Sequence, residues 1–314
     1  MKEKIVITGP TGAIGMALIK KCMDEEREIL VICHKGSERN KRIPHSRYIH
    51  VVEADLDDIT AVYNPASENK YDIFFHLAWR GTTGSDRNNK ELQEANVVSA
   101  LDAVHLAYKL GCHTFVGVGS QAEYGRVDGK LSTNIEKKPE NEYGRAKSQA
   151  AAACAQLCRE KNIKFNWVQV LSVFGPYDTE KSMISSTIKS LLEGKRAMLT
   201  KGEQKWDYLY SYDAAEALLL VAQKGVDGKT YVLGGGRAVK LREYITKLYE
   251  ILEKGGKPLG ELGFGDVPYA DNQVMHLEAD LTELTKDTGF IPTVPFEDGI
   301  KQTIAWIKQE MSAD

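Results

Sequence analysis

Cysteine is scarce in this sequence and shows no pairing pattern. The five cysteines (Cys22, Cys33, Cys112, Cys154 and Cys158) are odd in number and include no Cys-x-x-Cys pair, which argues against a disulfide framework or a thiolate metal site. Cys154 and Cys158 lie one helical turn apart in an alanine-rich run and read as small packing residues. No metal is expected, and a reducing cytoplasm fits. Long apolar runs are also missing. The longest, Ala214 to Ala222, is broken by Glu216 and falls well short of the roughly 20 residues a membrane helix needs. No basic, apolar, cleavable N-terminus is seen, because strand-like residues start at Lys4. An excess of one charge is absent too: 41 Lys and Arg stand against 44 Asp and Glu, a net −3, which leaves no electrostatic case for nucleic acid or a membrane surface. There is no internal repeat and no low-complexity tract. What remains is an ordinary globular composition, 42% hydrophobic and 27% charged over 314 residues, enough for one large domain or two interlocked ones.

The first 171 residues alternate apolar runs with helical patterns. Lys4 to Thr8 is β-branched and leads into Gly9-Pro-Thr-Gly12-Ala13-Ile14-Gly15 and a helical pattern through Met23. A strand, a glycine turn and a helix in that order form a phosphate-binding unit, where backbone meets pyrophosphate at a positive helix N-terminus. Further strands are predicted at 28–33, 48–56, 72–79, 114–120 and 164–171, with a helix from Lys90 to Leu110. Nearly continuous apolar strands separated by helices imply a parallel sheet covered on both faces, a Rossmann-like doubly wound α/β fold. An acid is expected after the second strand of an NAD-specific fold. Here the positions read Cys33-His34-Lys35-Gly-Ser37-Glu-Arg39, and Lys35, Ser37 and Arg39 could instead surround a 2′-phosphate. NADP is therefore the expected cofactor, with NAD as the alternative.

Beyond Leu171 the alternation breaks down. Helices are suggested at 182–193, 213–224, 241–253 and 296–309, with an extended piece from Lys205 to Tyr210 and a strand at 229–233. The expected division is a dinucleotide-binding domain of residues 1–171 plus 205–233, and a smaller mixed substrate-binding lobe of 172–204 plus 234–314.

One stretch suggests chemistry. Asn141-Glu-Tyr143-Gly-Arg-Ala-Lys147 opens an alanine-rich run that favours a helix. Tyr143 and Lys147 then share a helical face. An ammonium beside a phenol lowers the phenol's pKa from about 10, preparing it for proton transfer at an alcohol or sugar oxygen. Ser120, at the end of a strand, is a plausible partner.

These motifs together resemble the extended short-chain dehydrogenase/reductases, in particular the NAD(P)-dependent epimerase/dehydratase family that modifies nucleotide sugars. The resemblance spans nearly the whole chain. It rests on TGPTGAIG at 8–15, Asp55-Leu56, His76-Leu77-Ala78, Asn96-Val97, GSQAEYG at 119–125, YGRAK at 143–147, SVFGP at 172–176, the stretch from Trp206 to Asp213, YVLGGGR at 231–237 and GFIP at 289–292. It implies that Tyr143 is the catalytic acid/base, that Lys147 holds the nicotinamide ribose and tunes the tyrosine, and that Ser120 bonds the reacting sugar oxygen. It implies cofactor contacts from Thr8, Gly9, Gly12, Ala13, Ile14 and Gly15 at the pyrophosphate, and from His34, Lys35, Arg39, Asp55 and Leu56 around the adenosine. Leu77, Ala78, Trp79, Asn96, Gly119, Val170 and Val173 complete that set. The substrate-side candidates are Arg80, Gln121, Glu123, Tyr124, Ser172, Trp206, Tyr208 and Arg237, with Lys201 a further cation by position.

The departures from the family pattern narrow the reaction. Sugar 4,6-dehydratases carry Asp and Glu after the catalytic Ser/Thr, whereas this chain has Gln121 and Ala122, so dehydration is not expected. Gln169 and Ser172 replace the family's Arg and Asn in its Arg-x-x-Asn segment. The expected activity is 4-keto reduction of a nucleotide sugar. The alternatives are a 4-epimerase with tightly held NAD and a non-catalytic dinucleotide sensor. A homodimer is expected, pairing the helix after Asn96 with that of Tyr143.

Overall fold

Apolar β-branched runs too short for helices become the central strands, which are buried on both faces except at the sheet's edge strand, residues 49–53. The computed structural model describes residues 2–64, 70–256 and 259–313. Seven strands form one sheet: β1 (Ile5–Thr8), β2 (Ile29–Cys33), β3 (Ile49–Glu53), β4 (Ile73–His76), β5 (Thr114–Ser120), β6 (Lys164–Val170) and β7 (Thr230–Leu233). Their order is β7-β6-β5-β4-β1-β2-β3, and every neighbouring pair is parallel. Chain direction across the sheet reverses between β1 and β4, and such a switch point opens a crevice at the strands' C-terminal ends.

The helices cover the two faces. Helix α1 (Ala13–Asp24) and helix α5 (Ser211–Lys224) pack on one side with the inward residues of the sheet. Helices α2 (Lys90–Lys109) and α3 (Glu142–Glu160) cover the other, where Phe74, Phe115, Phe165 and Trp167 form a row of stacked rings. Burying each such side chain contributes roughly 1.5–3 kcal/mol.

A third apolar cluster lies beyond the sheet, where α4 (Met183–Leu192), α6 (Leu241–Glu253) and α8 (Phe296–Ala313) meet around Ile188, Ile245, Leu248 and Ile304. It forms the mixed C-terminal lobe, with the short strand pairs 197–199 with 262–264 and 205–206 with 239–240. A short helix, α7 (Thr282–Thr288), was not anticipated from the sequence; it is short and ends at Gly289 in the left-handed conformation. Asp213 ties the lobe to α5, accepting hydrogen bonds from the backbone N–H groups of Thr293 and Val294 and from the Thr293 hydroxyl. Asp207 splits the extended piece 205–210 into two strands. Its buried carboxylate accepts from the N–H groups of Gly235, Gly236 and Ala279 at 2.6–2.9 Å, and burial raises its pKa to about 6. No helix among the described residues is long and apolar enough to cross a membrane.

Candidate active site

Strand β5 ends at Ser120, whose hydroxyl accepts a hydrogen bond from the Ala122 N–H at 3.2 Å and caps the turn 121–123. Helix α3 starts opposite this turn. Asn141 caps it by accepting from the Gly144 N–H at 2.8 Å. A Cβ at Gly144 would stand 2.1 Å from the Ala122 carbonyl oxygen. Only glycine lets the helix approach so closely, and this approach sets Tyr143 beside Ser120. Tyr143 is buried. Burial raises its phenol pKa, while the neighbouring Ser120 side chain and the nearby Arg87 charge act the other way.

Lys147 shares the helical face of Tyr143, but its ammonium is taken up by other elements. Its ammonium donates to the Val118 carbonyl at 2.6 Å and lies 3.8 Å over the Trp79 ring, but 6.0 Å from the Tyr143 ring centroid. Burial brings its pKa down to about 7. Desolvation dominates at the phenol and raises its pKa, so the lowering expected from this lysine is outweighed. Trp79 stands edge-on to Tyr143 and donates its indole N–H to Gln93 at 2.8 Å, so it is packing and active-site wall at once.

The glycine turn offers a place for a pyrophosphate. Gly12 is exposed and precedes α1 with no side-chain cap and no acid in the first turn. A Cβ built there meets nothing within 4 Å, so the free N–H groups face open space beside Ala13 and Ile14. Gly9 has φ +67° and presses against the Ala78 backbone, which joins the tips of β1 and β4. His34, Lys35, Arg39 and Asp55 stand exposed at the tips of β2 and β3, with Leu56 half-buried beside them. These residues fit a dinucleotide laid across the strand ends. The third strand also brings an acid that sequence order hid. Glu53, paired in register with Cys33, accepts from the Gly36 N–H at 2.9 Å and from the Asn40 amide at 2.8 Å. These bonds hold its carboxylate below the usual range and place a negative charge in the loop after β2.

Several candidates are removed from direct contact. Thr8 is buried and bonded to His76 at 3.0 Å; burial takes that histidine's pKa down to about 3, so Thr8 joins strand tips rather than touching a ligand. Gly15 packs against the Pro10 and Gly9 carbonyls, and Gly119 against Trp167 and Glu123. Asn96 is buried and spends its amide on the Arg80 backbone, accepting at 3.0 Å and donating at 2.9 Å. Val170 belongs to the core, and Val173 and Leu77 pack against it. Arg80 forks onto Asp57 at 2.6 and 2.8 Å. Glu123 is fully buried, accepting from the Ser120 N–H, the Trp167 indole and the Gln169 amide, and paired with Lys137 at 2.7 Å. Tyr124 is buried and donates to Gln169 at 2.6 Å. A buried carboxylate requires such partners, and this one is too fully occupied to meet a substrate.

The remaining candidates border two cavities beyond the turn. One, of about 300 Å³, is lined by Arg87, Gln121, Ala122, Arg126, Asn141 and Asn272. The other, of about 270 Å³, is apolar and lined by Met183, Leu199, Trp206, Tyr208 and Gln273. Trp206 donates to Ser172 at 2.8 Å beside the apolar cavity. Arg237 sits instead at the rim of a separate cavity of about 580 Å³, with Tyr244 and Phe296. Gly144, Glu53, Asp207 and Arg87 are additions that motif reading did not single out.

The architecture is that of a dinucleotide-binding enzyme. The chain belongs to the NAD dependent epimerase/dehydratase family, whose sequence pattern matches residues 5–234. A dTDP-D-glucose 4,6-dehydratase of Mus musculus is 24% identical, covering 98% of this chain and 89% of that protein. Among solved structures, a UDP-N-acetylglucosamine 4-epimerase from Methanobrevibacter ruminantium superposes with TM-score 0.86 at 19% identity, covering 99% of this chain and 100% of that one. A dTDP-glucose 4,6-dehydratase from Bacillus anthracis, in complex with NAD, superposes with TM-score 0.83 at 18% identity over 99% and 98% of the two chains.

Proposed function

We propose that the chain carries out reversible oxidation and reduction at a ring carbon of a nucleotide-activated sugar, with Ser120 and Tyr143 handling the proton. The observation that carries this is the approach of α3 to the β5 turn through Gly144, which joins the Tyr143 phenol to Ser120 beside a polar cavity. Bound NAD would supply the hydride acceptor and donor, and the exposed Gly12 turn would hold its pyrophosphate. Tyr143 takes the proton of the sugar hydroxyl as the carbon is oxidised and returns it on reduction. Ser120 orients that oxygen, and Lys147 stands by to hold the ribose. The polar cavity would take the sugar.

Elimination of water is not part of this reading. Ala122 has no acid to offer, Glu123 is turned into the core, and Glu140 is paired with Arg126. Two outcomes follow from one chemistry. Glu53, at the end of β3 and bonded to the loop after β2, would repel a 2′-phosphate, which supports NAD and 4-epimerisation. Lys35 and Arg39, exposed in that loop, support 4-keto reduction with NADPH. Mass analysis of dinucleotide released on denaturation separates them. Near-stoichiometric NAD is the expected result. An empty protein that prefers NADPH to NADH would favour keto reduction, and one that binds neither would overturn both.

A further inference from the structure

Arg87 carries a charge that no carboxylate answers among the described residues. Its guanidinium carbon lies 4.4 Å from the centroid of the Tyr143 ring, and its Nη1 donates to the Thr82 carbonyl at 3.1 Å. One carbonyl uses one of five N–H groups. The other basic side chains near this turn are engaged. Arg126 is held by Glu140 at 2.8 and 3.1 Å, Lys137 by Glu123 at 2.7 Å, Arg145 by Glu142 at 2.6 Å and Arg80 by Asp57. The polar cavity therefore has an uncompensated positive charge at the end nearest Tyr143.

We propose that Arg87 is a specificity-determining residue that binds an acidic substituent, a carboxylate on the sugar close to the reacting carbon. The inference rests on the nucleotide-sugar reading above. Hydroxyl groups of a neutral sugar are served by the amides of Gln121, Asn141 and Asn272 in the same cavity. A free planar fork adds what those amides cannot, two parallel charge-assisted bonds to one carboxylate. Its place over the ring of Tyr143 puts the contact at the reacting end of the polar cavity.

The test is a calorimetric titration of NAD-loaded protein with UDP-glucuronate and UDP-glucose, repeated with the dTDP derivatives of the same sugars. The wild type is expected to bind the acidic sugar about tenfold or more tightly than the neutral one, as charge-assisted bonds allow. Arg87→Gln should lower affinity for the acidic sugar by about the same factor and change the neutral sugar by less than about twofold, with Arg87→Lys in between. Unchanged binding of the neutral sugar also shows that the variant is folded. Equal loss for both sugars, or no preference in the wild type, would overturn the role of Arg87 while leaving the proposed function intact. Binding of NAD with no binding of any of the four nucleotide sugars would overturn the function itself, and this inference with it.

Discussion

Lys147 is the residue whose environment differs most from what spacing alone implies. The i, i+4 rule placed it on the face of Tyr143, and it is on that face. Spacing could not say that Trp79 would take up the ammonium or that Val118 would offer a carbonyl, because one follows β4 and the other lies in β5. Burial lowers the lysine's pKa to about 7, against about 10.4 in an unfolded chain. Between these values the unfolded chain holds a proton that the folded chain has released. Stability should therefore rise with pH across this window, by at most about 1.4 kcal/mol per pH unit, and the gain is lost as pH falls toward 7. Urea midpoints of dinucleotide-free protein at pH 7, 8 and 9, compared with Lys147→Met, should show the gap moving in favour of the wild type. A constant gap would mean that the lysine stays charged throughout. Glu123 and Tyr124 teach a related lesson. Their place in a motif beside Ser120 pointed to the substrate, but the turn carries both into the core, where Gln169 and Trp167 are their partners. Polar residues at a site's edge do not reveal from sequence which way they face.

At the level of elements, the junction between β5 and α3 decides whether a site exists. The Gly144 contact with the Ala122 carbonyl leaves no room for a methyl group. Gly144→Ala should push the start of α3 away from the turn, with a cost of about 1–3 kcal/mol for overpacking. Its effect on turnover should exceed its effect on dinucleotide binding, because Tyr143 moves relative to Ser120 while the Gly12 turn does not. A thermal melt together with a dinucleotide titration checks both parts. Weakened dinucleotide binding without loss of turnover would contradict this account. The strands were legible because each is a short apolar run between polar breaks, and β5 matches its predicted bounds from Thr114 to Ser120. The loop elements were less legible. Arg80 and Asn96 were read as ligand contacts, yet they bond each other's segments to fix the loop after β4. That depends on α2 passing close by, which no local pattern records.

For the whole molecule, the parallel order of the seven strands places β1, β4 and β5 side by side, so the glycine turn and Ser120 open on the same edge. The alternation of strand and helix made this order readable, since parallel neighbours need covered crossovers. The lobe was harder to read. Its strands have two or three residues, and its attachments run through Asp207 and Asp213, single buried acids whose partners lie far along the chain. Its role also depends on the apolar cavity lined by Trp206 and Tyr208, which only the folded arrangement reveals. The account as a whole depends on Tyr143 moving a proton at the sugar. The most direct measurement compares Tyr143→Phe with the wild type, scoring turnover over a panel of nucleotide hexoses and 4-keto sugars and dinucleotide binding on the same samples. The account predicts a loss of turnover of about 10²–10⁴-fold with dinucleotide affinity unchanged. Turnover retained within a few-fold would remove Tyr143 from the chemistry and contradict the central claim.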